Sequence, residues 1–106
     1  MDDRTKQENA TVLAEMFLGL GKESTVEKIA YYLRLLGSLQ PWVLRKACDA
    51  AVLARSDDWI PGPGEINRQA RRILGEVRER ERETVAQLER ENYRRTVLAE
   101  RASGRA

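Results

Sequence analysis

The sequence predicts an all-α protein, a small helical domain of four helices whose last helix extends into a long charged C-terminal helix or flexible tail. Two observations carry this. The apolar runs repeat at the helical spacing of about 3.6 residues, and none alternates with period two. Glycines, prolines and Ser/Thr-x-x-Glu patterns punctuate the chain at helix-length intervals. At 106 residues the chain supports one folded domain, expected over residues 1–77, with an Arg/Glu-rich tail over 78–106.

The first helix is expected from about Lys6 to Leu18, because Val12, Leu13, Met16, Phe17 and Leu20 share one face. Thr5 and Glu8 have the spacing of a capping box, Gly19 and Gly21 end the helix, and the residues before it are expected to fray. A second capping-box pattern, Ser24 to Glu27, opens helix two, which runs to about Leu36 with Gly37 as its stop. Val26, Ile29, Ala30, Tyr31, Tyr32, Leu33, Leu35 and Leu36 cover most of its circumference, so this helix is expected at the centre of the domain. Pro41 starts helix three in the first turn, where its missing N–H costs nothing. Leu44, Ala47, Cys48, Ala51 and Val52 form its inner stripe, while Arg45, Lys46 and Asp49 face outward. A turn over residues 55–62 follows. Pro63 then opens helix four, whose stripe is Ile66, Ala70, Ile73, Leu74 and Val77.

Beyond Val77 the pattern changes. Residues 78–83 alternate Arg and Glu with no apolar side chain, and Val85, Leu88, Tyr93, Val97 and Leu98 return sparsely. Glu76–Arg80 and Glu91–Arg95 stand at i,i+4 in the favourable order, so the tail is helix-prone without a face to bury. Arg80, Glu81 and Asn92 interrupt any coiled-coil seam, and residues 103–106 are expected to be disordered.

The composition narrows the chemistry. There is no histidine and one cysteine, Cys48, so the commonest general base, an internal disulfide and a cysteine zinc site are all missing. The net charge of +2 hides a division: residues 1–64 carry 8 Lys/Arg against 9 Asp/Glu, and residues 65–106 carry 11 Arg against 8 Glu. Such a modest excess argues weakly for nucleic acid. The start Met1-Asp2-Asp3 is acidic where a signal peptide is basic, and no apolar run nears the roughly 20 residues of a membrane span. A cytoplasmic protein without membrane contact is expected.

Few residues suggest a site. Gly19 to Ser24 has the look of a phosphate loop but lacks the upstream glycine and the Ser/Thr after Gly-Lys, so it reads as an interhelical turn. Asp57-Asp58 reads as a turn cap rather than a metal or acid/base pair, and Cys48 as a small core residue. Trp59 is expected to plug the gap between helices three and four and Trp42 to pack at a helix start. The other reading makes these rings, with Tyr31 and Tyr32, stacking platforms. One of the two tyrosines is expected to face out. Arg68, Arg71 and Arg72 on helix four, and Arg94-Arg95 beside Tyr93 in the tail, form either a solvated face or a partner contact. No catalytic residue, metal ligand, cofactor or small-molecule site is expected.

The loop Trp59-Ile60-Pro61 followed by Glu65-Ile66, together with the run Tyr31 to Leu36 and the segment Val43 to Leu53, resembles the phage replicative-helicase loader/inhibitor family. Over residues 12–73, Trp59 stands for that family's aromatic residue, Pro61 for its proline, and Glu65-Ile66 for the acidic-Ile pair opening the next helix. Gly62-Pro63-Gly64 is richer in turn residues than the family pattern. The resemblance implies a helical domain with a flexible C-terminal segment that engages a hexameric replicative helicase. Such a protein restrains the helicase's ATPase and delivers it to an origin complex with its origin-binding protein. It implies an accessory replication protein with no catalysis of its own, acting in the host cytoplasm if phage-encoded. Partner-binding residues would be Arg68, Arg71, Arg72, Tyr93, Arg94, Arg95 and Trp42; loop-building residues would be Trp59, Pro61, Glu65 and Ile66. The alternatives are weak direct DNA binding through the arginine clusters, or a small phage inhibitor of a host enzyme.

Overall fold

The computed structural model describes residues 3–57 and 59–104. Helix takes in 82% of them and no strand occurs among them, which makes the chain all-α. The helices are α1 (Asp3–Gly19), α2 (Val26–Leu36), α3 (Pro41–Ala54) and α4 (Pro63–Ser103). The chain divides into two compact units, Met1–Leu74 and Gly75–Ala106.

In the first unit the core is built chiefly by α1 and α3. Val12, Leu13, Met16 and Phe17 come from α1, and Val43, Leu44, Ala47, Cys48 and Ala51 from α3; Leu36, Ile66 and Ala70 complete it. α1 packs on both α3 and α2. The side-chain amide of Asn9 donates to the Leu39 carbonyl at 2.9 Å, and Arg45 pairs with Glu15 at 2.7 Å. Both contacts span thirty positions in the same order, so α1 and α3 run parallel.

Several expectations are corrected. α1 begins at Asp3, which places Thr5 inside the helix and leaves no capping box there. The cap of α2 is Thr25 rather than Ser24: its hydroxyl accepts from the Lys28 N–H at 3.2 Å, the third helical position. α2 is not central, for Leu36 alone is buried, while Val26, Tyr31 and Leu35 are exposed. An apolar circumference does not by itself fix a helix's place. The small side chains Ala47, Cys48 and Ala51 give α3 a surface that a neighbour can approach closely, and α1 fills the centre instead. Gly37 does stop α2, but with right-handed backbone; a Cβ there would run into the Leu33 carbonyl.

In the second unit α4 is a single helix continuing through Ser103, so Ser103 is ordered, its hydroxyl donating to the Ala99 carbonyl at 2.9 Å. Most side chains of this unit are exposed, with Val77, Ala86 and Val97 partly covered. The readings made for Met1, Asp2, Asp58, Arg105 and Ala106 fall outside the described residues.

Candidate functional site

Two turns of the first unit converge on one exposed ring. Gly21 adopts φ +67°, the left-handed conformation glycine takes without penalty, and ends α1 in a Schellman turn. The Gly21 N–H donates to the Leu18 carbonyl at 3.0 Å and the Lys22 N–H to the Phe17 carbonyl at 2.9 Å. The segment resembling a phosphate loop is therefore a helix terminus, and it fixes Lys22 in place.

The second turn follows α3. Arg55 ends that helix with extended backbone, and its guanidinium gathers two carboxylates: Nε and Nη2 reach Asp57 at 3.0 and 3.4 Å, and Nη1 reaches Glu65 at 2.6 Å. Asp57 Oδ1 also accepts from the Trp59 N–H at 3.2 Å, an Asx-type turn. The guanidinium, and then the Trp59 N–H, hold the Asp57 carboxyl below its ordinary pKa; the same two carboxylates raise that of Arg55. Pro61 is fully buried, and its carbonyl accepts from the Tyr32 hydroxyl at 2.8 Å. Burial, and then the Glu65 charge, push the Tyr32 phenol up. The Gly62 carbonyl accepts from the N–H groups of Glu65 and Ile66, launching α4 with Ile66 in the core.

Pro61, Glu65 and Ile66 thus build the loop. Trp59 does not plug the gap between α3 and α4: its side of the turn points outward, leaving it 67% exposed with the Lys22 ammonium 5.4 Å from the ring centroid. The adjacent surface is also aromatic. Tyr32 packs edge-on against Phe17, and Tyr31 lies 6.2 Å from Tyr32, facing out beneath Arg34. Trp42 is 47% exposed and carries Lys46 over its ring.

The other predicted contact residues are distributed as follows. Arg68, Arg71 and Arg72 are all exposed and lie within about 100° of one another on α4, opposite Ile66 and Ala70. In the second unit Tyr93 shares a helix face with Glu89, Arg90, Arg94, Val97 and Arg101. Arg95 is not part of that face, since two residues along a helix point about 160° apart. The arginines beside Tyr93 are Arg90, Arg94 and Arg101. Consecutive sequence neighbours suggested a pair that helical geometry separates.

Sequence reasoning missed Asn9, Arg55 and Lys22. Asn9 stands at the α1 stripe spacing, three residues before Val12, and its burial was readable from that position. A groove of about 420 Å³ between α1 and α3 is lined by Met16, Leu20, Cys48, Val52 and the Glu15–Arg45 pair, among others. Burial, then the Asp49 charge, pushes the Cys48 thiol up to about 12, so it is a poor nucleophile at neutral pH. Among the described residues no group of three or more His, Cys, Asp or Glu is placed to hold a metal, and no helix is long and apolar enough to cross a membrane.

Compared with known protein families, curated proteins and solved structures, the chain matches none.

Proposed function

We propose that this chain is an accessory DNA-replication protein, phage-encoded, that binds, loads and restrains a hexameric replicative helicase. The observation that carries the reading is the loop over residues 59–66, whose sequence resembles the loader/inhibitor family and whose residues are used structurally. Pro61 and Ile66 are buried and Glu65 is clamped by Arg55. The second unit adds support: a helix with Tyr93 73% exposed, flanked by arginines, has nothing of its own to bury against. Such a segment suits a partner's surface, and Tyr and Arg are enriched at interface hot spots. On this reading the ATPase chemistry belongs to the helicase, and the chain works by binding alone. The test is a calorimetric titration of the full chain into the hexameric helicase with nucleotide present, together with the helicase's ATPase rate. Saturable binding with a lowered ATPase rate is expected; no heat and no change in rate would exclude it.

A second reading, weak DNA contact, is favoured by the shared face of Arg68, Arg71 and Arg72. It predicts binding that falls steeply with salt through counterion release. Filter binding across a salt series checks it, and affinity that persists at physiological salt would raise DNA to a principal partner.

A further inference from the structure

We propose that Trp59 is a pre-organised anchor through which the first unit docks on the helicase, its indole entering an apolar pocket with a carboxylate at the rim. The inference rests on the helicase-binding reading and adds a contact that the tail does not supply.

Three observations carry it. The ring is exposed although the loop around it is held on several sides: by Arg55 bridging Asp57 and Glu65, by the Asp57–Trp59 turn, by buried Pro61 and by the Tyr32 hydroxyl. A loop fixed this way loses little freedom when its tryptophan is captured, so more of the contact energy remains as affinity. Second, the turn that ends α1 places the Lys22 backbone, its ammonium lies 5.4 Å from the ring centroid, and it makes no ion pair among the described residues. Among the described residues of the tryptophan loop, the carboxylates of Asp57 and Glu65 are both taken by Arg55. A pocket that swallows the indole strips water from this ammonium as well, and an ammonium so buried requires a carboxylate partner. Third, Tyr32, whose hydroxyl holds the Pro61 carbonyl of the loop, has the exposed Tyr31 beside it with Arg34 over that ring, side-chain types enriched at binding hot spots. Single-stranded nucleic acid would use the ring and Lys22 differently, stacking a base and pairing a phosphate. Asp57 and Glu65 outnumber the one Arg55 guanidinium that pairs with them, and this net negative charge in the loop opposes a phosphate.

The experiment titrates the full chain, Trp59→Ala and Lys22→Glu against the hexameric replicative helicase with nucleotide present, with thermal melts of all three. Trp59→Ala is expected to weaken binding about 30-fold and Lys22→Glu at least about 5-fold, with unchanged melting midpoints. If the wild-type chain binds and Trp59→Ala binds equally well, the anchor is overturned while the functional reading stands. If the wild-type chain does not bind at all, the functional reading falls and takes this contact with it. An oligo-dT titration completes the set. Tryptophan quenching that Trp59→Ala removes, alongside unaltered helicase binding, would assign the surface to single strands and overturn the proposal.

Discussion

Asn9 is a fully buried polar side chain, and its amide ties α1 to the turn before α3. Asn9→Ala should cost about 1–3 kcal/mol in urea denaturation, since the Leu39 carbonyl loses its donor. Trp59→Ala should change stability by less than about 0.5 kcal/mol, because the exposed ring fills no cavity. Phe17→Ala, at the packed centre, should cost about 3–5 kcal/mol. Cys48 supplies a pH dependence. Its thiol stays protonated in the folded chain up to about 12, while the unfolded chain releases that proton near the ordinary value. The unfolded state therefore binds fewer protons in between, and stability falls as pH rises through that window, by at most about 1.4 kcal/mol per pH unit. Below the ordinary thiol value the effect vanishes. Cys48→Ala should flatten the alkaline slope in melts recorded from pH 8 to 11, and an unchanged slope would mean the thiol is not buried. Residue placement was legible where periodicity oriented the side chain, as at Cys48, Ile66 and Ala70. Trp59 lies in a proline-rich turn with no period to orient it, and only the Asp57 bond and buried Pro61 reveal that its ring points out.

The helices themselves were readable from their stripes and from local signals: glycines close α1 and α2, Thr25 caps α2, and prolines open α3 and α4. What could not be read was which helix lies innermost. α2 has the most apolar circumference, yet α1, with only one face of apolar side chains, is the helix both α2 and α3 pack on. That outcome depends on how closely two surfaces approach, which one helix's composition does not record. Thr25→Ala should lower stability by about 1 kcal/mol, the usual worth of a hydroxyl cap; Ser24→Ala should not, since Ser24 is not the cap. The loop makes a sharper test. Arg55→Gln removes the bridge between Asp57 and Glu65 and should speed amide exchange at Trp59 and Ile60 while the α1 and α3 amides stay protected. Uniform exchange before and after the substitution would show that buried Pro61 and Tyr32 suffice to hold the turn.

At the scale of the molecule, every described residue of the hydrophobic core lies in the first unit, and the described residues of the second bury none. The alternating Arg and Glu of residues 78–83 announced that change in the sequence, while the arginine row Arg90, Arg94 and Arg101 emerged only once the helix phase was known. Limited trypsin digestion should cut first among Arg78 to Arg101 and leave a fragment ending near Val77, because most side chains there are exposed and bury no core. Resistance equal to that of α3 would mean that the second unit docks or self-associates. The central claim is that this exposed helix supplies much of the affinity for a replicative helicase. Its most direct test is a calorimetric comparison of the full chain with a chain ending at Val77, titrated into the hexameric helicase with nucleotide. The account predicts that the shorter chain keeps its thermal transition and loses at least about tenfold in affinity. Equal binding by the two chains would contradict it.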